Sequence, residues 1–161
     1  MPSILRPAPL AADLFAPFGD VLDASGTADW LINEGRCARF HDRARLDFGP
    51  DGRAGISVFD AQPLSLPHRF DFVERHPDGS QAFLSLFGVP FLVIVAPDAG
   101  GQPGPPQAFV ARAGQGVNLL RGVWHGVLTP LAGPGVFAVV DRIGPGANLE
   151  TFRYPQPFIV V

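Results

Sequence analysis

Apolar and polar positions change rhythm twice along this chain. Between Leu10 and Phe18 (L-A-A-D-L-F-A-P-F) the apolar residues Leu10, Leu14 and Phe15 fall at helical spacing. Pro17 and Gly19 close the run, which predicts a short N-terminal helix. From Arg36 onward the rhythm is that of short strands. The pattern predicts them at Cys37–His41, Ile56–Ala61, Phe70–His76, Ala82–Phe87, Phe91–Ala96, Ala108–Ala111, Gly116–Leu120, His125–Leu128, Val136–Asp141 and Phe158–Val161. Turn-forming sequences separate them: G-P-D-G at Gly49–Gly52, P-D-G-S at Pro77–Ser80, G-V-P at Gly88–Pro90 and A-G-P-G at Ala132–Gly135. Pro97–Pro106, with four prolines and three glycines, reads as a long hairpin tip. Short strands at this spacing predict an all-β sandwich or barrel.

Composition sharpens this picture. The 161 residues include 19 glycines and 18 prolines, about twice the usual share, which disfavours long helices. The length suits one domain spanning 1–161. All 12 basic residues are arginines and the net charge is -3, so no basic run exists to neutralise phosphates, and nucleic acid is not an expected partner. The absence of lysine excludes Schiff-base chemistry. Cys37 is a lone cysteine, as expected in a reducing compartment. The opening M-P-S-I-L-R-P-A-P-L lacks the apolar core of a signal peptide, and no apolar run is long enough to cross a bilayer. These features predict a cytoplasmic protein without a membrane partner.

The chemistry concentrates in two segments, Glu74–Phe83 (E-R-H-P-D-G-S-Q-A-F) and Gly114–His125 (G-Q-G-V-N-L-L-R-G-V-W-H). Alternation along Phe70–His76 places Phe70, Phe72, Glu74 and His76 on one face, expected to point inward. A carboxylate at the inner end of a core strand is costly unless paired or ligated. Gln81 follows the Pro77–Ser80 turn, and His125 opens a strand after Gly122. Imidazole suits proton transfer near neutral pH and is the commonest metal ligand. Elsewhere, His41 reads as a surface partner of Asp42, His68 as a loop residue, Asp141–Arg142 as a salt bridge, and Trp30 and Trp124 as core or interface material.

Glu74-x-His76-x4-Gln81-x6-Gly88 and Gly114-x5-Leu120-x-Gly122-x2-His125 resemble the two cupin motifs, which bring metal ligands into a conical jelly-roll barrel. That resemblance implies a ligand set of Glu74, His76, Gln81 and His125 for a divalent metal: Ni, Mn, Fe or Zn. The chain is also similar to the ureidoglycolate lyase family over nearly its whole length. The similarity runs through F-A-P-F-G-D-V (Phe15–Val21), I-N-E-G (Ile32–Gly35), R-F-H-D (Arg39–Asp42), E-R-H-P-D-G-S-Q-A-F, G-Q-G-V-N (Gly114–Asn118), R-G-V-W-H (Arg121–His125) and V-D-R (Val140–Arg142). It implies a cupin-like homodimer, a carbon–nitrogen lyase that releases urea and glyoxylate from ureidoglycolate in allantoin and purine degradation. The family pattern His-Arg-x-x-Trp-His-His is departed from at Leu120 and Gly126, and a frequent later Gly is Ile143 here.

Releasing urea requires a proton to leave the substrate hydroxyl and another to reach the departing nitrogen. On this reading Glu74 and His76 are the acid–base pair or ligands, and His125 is the second imidazole. Gln81 orients the ureido group, and Arg121 and Arg142 are candidates for the substrate carboxylate. The rival readings are a metal-dependent cupin enzyme acting on another small hydroxy or keto acid, and a non-catalytic cupin that binds small acids.

Overall fold

The computed structural model describes residues 1–161, and they form an almost entirely β protein. Chain order runs β1 (Ser3–Leu5), β2 (Ala8–Pro9), α1 (Ala12–Phe15), β3 (Gly19–Leu22), β4 (Trp30–Ile32), β5 (Cys37–Arg39), β6 (Arg53–Asp60) and β7 (His68–Arg75). It continues through β8 (Gln81–Ser85), β9 (Phe91–Ala96), β10 (Gln107–Ala111), β11 (Gly116–Leu119), β12 (Trp124–His125), β13 (Thr129–Pro130), β14 (Val136–Ile143) and β15 (Glu150–Val160). One sheet has the order β1-β15-β7-β12-β9-β10-β2, with β13 also on β9. A second has the order β3-β11-β8-β14-β6, and β4 and β5 form a separate hairpin. No helix is long and apolar enough to cross a membrane.

The two larger sheets face each other across one apolar layer. β9 contributes Phe91, Val93 and Val95, and β10 contributes Phe109 and Ala111. The facing sheet contributes Phe83, Val117, Leu119, Phe137 and Val139. These residues alternate along their strands, as a face buried on one side requires. Phe15 and Phe18 plug one end, with Phe15 packed edge-on against Phe109 at 5.5 Å between centroids. On the outer face of the first sheet, Val73, Ala96 and Trp124 form another cluster with Phe70, Phe152 and Tyr154.

Several sequence expectations change here. The predicted Leu10–Phe18 helix contracts to the single turn Ala12–Phe15. β2 pairs with β10, and the Leu10 N–H donates to Val110 O, so sheet pairing claims the start of the segment. Leu14 is exposed, and only Leu10 and Phe15 of the expected apolar face are buried. The His125–Leu128 strand shortens to Trp124–His125; the Gly126 N–H still donates to Ile94 O, and the chain pairs with β9 again only from Thr129. The last strand is much longer than expected, and its register with β7 shifts between Arg153 and Phe158, where Pro155 and Pro157 cannot donate. The alternation assumed along Phe70–His76 also breaks. Phe70 packs in the same outer layer as Val73, so the inward face begins anew further along β7. His68 is the first residue of β7, stacked on Phe70, and not a loop residue. The Pro97–Pro106 segment is the long tip joining paired β9 and β10, as expected.

The packing predicts a sharp contrast in stability. Phe137→Ala removes a fully buried ring and should cost about 3–5 kcal/mol. Leu14→Ala, on the exposed side of the short helix, should fall within about 0.5 kcal/mol of the parent. Denaturant unfolding of the two variants checks both.

Candidate functional site

The site forms where the two-residue strand β12 is wedged between β7 and β9. His125 pairs directly with Glu74 on one side and with Val95 on the other. Directly opposed residues share a sheet face. Val95 belongs to the inner core, so His125 and Glu74 point inward as well. Trp124 therefore points outward, and that side anchors the strand. Arg75 stacks over the Trp124 ring at 4.4 Å while bonding Asp98 and Glu150. The Trp124 indole N–H donates to the same Asp98. This network ties the short strand to the Pro97–Pro106 tip.

His76 lies one residue beyond β7. Its carbonyl accepts the Gly122 N–H at 2.9 Å, which joins the two chemically rich segments through their backbones. Its ring meets that of His125 at 5.2 Å between centroids. One ligand atom each from Glu74, His76 and His125 lies within 4.8 Å of the others. The structure thus brings three of the four expected ligands together.

Gln81 comes from the facing sheet. It opens β8 opposite Leu119 of β11 and Asp141 of β14. It shares its face with the core residue Phe83, so it also points inward. Phe83, two residues along β8 from Gln81, and Leu119, the partner of Gln81 across the ladder, line one small apolar cavity with His125. Its Nε2 donates to Asp141 at 3.2 Å.

The hydrogen-bonding state of these groups is the informative part. His76 Nδ1 faces the Asn148 carbonyl at 2.8 Å, and His125 Nδ1 faces the Gly126 carbonyl at 2.9 Å. A carbonyl can only accept, so each Nδ1 carries a hydrogen, and in the neutral ring Nε2 is the lone-pair nitrogen. Both Nε2 atoms are buried without a partner in the protein, and so is Gln81 Oε1. With the Glu74 carboxylate, the site is lined by acceptors. Such a lining suits a cation or a ligand rich in N–H and O–H donors. Burial, reinforced by the neighbouring His76, pushes the His125 pKa down to about 4, with the Gly126 hydrogen bond only partly opposing it. His125 is therefore neutral near pH 7.

Arg121 and Arg142 work in the surrounding loops. Arg121 pairs with Asp47 at 3.5 Å and donates to Asp78 O at 3.1 Å. Arg142 donates to Phe48 O and Pro145 O. It passes so close to Gly52 and Gly79 that a Cβ at either would lie within 2.9 Å of its side chain. Each arginine keeps one terminal nitrogen outside these bonds. Asp141 does not form the expected salt bridge with Arg142 and accepts from Gln81 instead. Nor does His41 pair with Asp42: its N–H donates to Asp29, and its ring packs edge-on to Trp30. Trp124 is buried, whereas Trp30 is half exposed.

Two further residues belong to the site. Asn148 holds His76 through its carbonyl, and its side-chain oxygen accepts the Asp78 N–H. It lies in a Gly-Pro loop with no periodic signal. Asp141 could have been found, since alternation along Val136–Ile143 puts it on the face of Phe137 and Val139. Of the positions that depart from the family pattern, Gly126 abuts Ile94, whose Cβ would be 3.1 Å from a Cβ at 126, and Ile94 belongs to the outer cluster. Leu120 follows β11 and donates its N–H to Phe18 O.

The low proton affinity of His125 makes stability depend on pH. Below the ordinary value of 6.5 the unfolded chain binds a proton there that the folded chain does not. Stability should fall as pH drops from 6.5 towards 4, by about 2 kcal/mol at pH 5, and this contribution should flatten below about 4. Unfolding free energies at pH 7 and pH 5 check this, and His125→Gln should remove most of the difference.

Comparison with known proteins adds independent evidence. The family model described as ureidoglycolate lyase matches residues 2–161. A ureidoglycolate lyase of Rhodobacter capsulatus is 62% identical over 152 residues, covering 94% of each chain. One of Chelativorans sp. is 50% identical over 151 residues, covering 93% of this chain and 92% of its own. Ureidoglycolate lyase 2 of Rhizobium meliloti is 49% identical over 153 residues, covering 94% of each.

Proposed function

The chain belongs to the ureidoglycolate lyase family, and we propose that Glu74, His76 and His125 mark the place where it splits ureidoglycolate into urea and glyoxylate. The single observation that carries this assignment is the acceptor-only lining described above. The ureido group and hydroxyl of the substrate supply the donors that such a lining lacks.

The reaction converts a carbinol C–O bond to a carbonyl and breaks the adjacent C–N bond. The hydroxyl loses a proton and the departing nitrogen gains one, so the net proton count is zero. One group can therefore perform both transfers. His76 Nε2 and the Glu74 carboxylate are the two unpartnered bases suited to take the hydroxyl proton and pass it to nitrogen. His125 is neutral near pH 7, and its Nε2 serves as an acceptor that orients the substrate. Gln81 Oε1 accepts from the ureido group. The uncommitted terminal nitrogens of Arg121 and Arg142 are the cationic candidates for the substrate carboxylate.

The same lone pairs fit a divalent cation. Glu74, His76 and His125 would hold it, and its chemistry would be polarisation of the substrate hydroxyl. The two facing sheets, with site residues at their inner ends, support reading residues 1–161 as one cupin-like unit. A homodimer working in the cytoplasm on allantoin-derived substrate completes the proposal.

Urea release from ureidoglycolate by the purified chain, with metal content measured on the same preparation, tests this reading. The unaltered chain should release urea. His76→Ala and Glu74→Gln should lower kcat by about 10²–10⁴-fold, and His76→Ala should also lose any bound divalent metal. Arg112→Ala, beside a separate hollow lined by Leu10 and Asp23, should match the parent. An inactive parent chain, or active His76 and Glu74 variants, would refute the assignment.

A further inference from the structure

Gln81 and Asp141 form a polar pair at the inner end of the second sheet. Gln81 is only 5% exposed, yet its Oε1 has no partner. An amide normally has two interchangeable orientations, but here a carboxylate decides between them. Asp141 Oδ2 can only accept, so Nε2 must face it, and the observed contact is 3.2 Å. Turning the amide over would set two oxygens against each other. The carboxylate thereby keeps Oε1 on the free side of the amide.

Asp141 is itself held by the sheet. It sits between Gln81 on β8 and Gly55 on β6 in an unbroken ladder. Neither candidate arginine of the site pairs with it: Arg142 is turned to Phe48 O and Pro145 O, and Arg121 to Asp47 and Asp78. Its single hydrogen-bonded side-chain partner is Gln81.

We propose that Asp141 is a positioning residue that sets the Gln81 amide so that its Oε1 selects ligands carrying a ureido N–H. This rests on the reading of the site given above and extends it to specificity. A small acid without a ureido group leaves Oε1 buried and unpaired, which costs affinity. A ureido acid satisfies it. Asp141 thus acts through Gln81 and touches no reacting atom.

The test uses binding, which does not require turnover. N-Carbamoylglycine retains the carboxylate and ureido group of the substrate, while glycolate retains the carboxylate and hydroxyl. Calorimetry on the full chain should show that Asp141→Asn and Gln81→Glu each weaken N-carbamoylglycine by about tenfold. Glycolate affinity should be unchanged in Asp141→Asn. The double variant D141N/Q81E exchanges amide and carboxylate, restores a donor–acceptor pair and again leaves an oxygen free. It should recover most of the lost affinity, with melting temperatures showing that all variants fold. A parent chain that does not bind N-carbamoylglycine overturns the proposal. So does an Asp141→Asn variant that loses both ligands equally or neither, or a double variant no better than the weaker single one. Urea release by the parent chain is read separately, so failure of the reaction assignment is distinguishable from failure of this pair.

Discussion

Two backbone carbonyls, those of Asn148 and Gly126, determine the chemistry of this protein's inner end. Each takes the Nδ1 hydrogen of one imidazole and leaves the opposite nitrogen buried without a partner. A buried acceptor without a donor is costly, typically by about 1–3 kcal/mol. Two such atoms, on rings 5.2 Å apart beside the Glu74 carboxylate, are poorly explained as packing. They make sense as a receptor for donors or for a cation.

The rest of the fold supports that arrangement. β12 is only two residues long and would not hold its place by ladder bonds alone. Arg75, Asp98 and Glu150 brace it from behind through Trp124. The loops at the same end are cross-bonded: Ser80 with Asp47, Gly122 with His76, Arg121 with Asp78, and Arg142 with Phe48. Asn118 and Asp20 grip Arg45 on the outer face of the second sheet and hold the approach to these loops. Motifs such as R-G-V-W-H therefore mix residues of two kinds. Trp124 anchors the strand outward, and His125 faces the chemistry.

Much of this was legible in the sequence. The strands Phe91–Ala96 and Val136–Asp141 follow directly from alternation, and Glu74, His76 and His125 follow from the two polar-tipped segments. The N-terminal helix was overestimated because local periodicity does not reveal that Ala8–Pro9 is claimed by β10. The inward face of β7 was extended too far because a register shift, caused by pairing with a proline-broken strand, cannot be seen in β7 itself. The role of Asp141 was hidden by its neighbour, since an Asp-Arg pair invites a local salt bridge. Only the three-dimensional neighbours of Arg142 show that it is engaged elsewhere. Asn148 acts through its main chain on His76, so no side-chain pattern marked that role.

Both His76 and His125 carry hydrogen on Nδ1 towards a carbonyl, and His125 is neutral with a bare Nε2. Long-range proton–nitrogen NMR correlation at pH 7 on metal-free, nitrogen-15-labelled protein reads this directly for each ring. The account predicts a protonated Nδ1 on both rings and an unprotonated Nε2 on His125. A bare Nδ1 on either ring, or an imidazolium at His125, would contradict it.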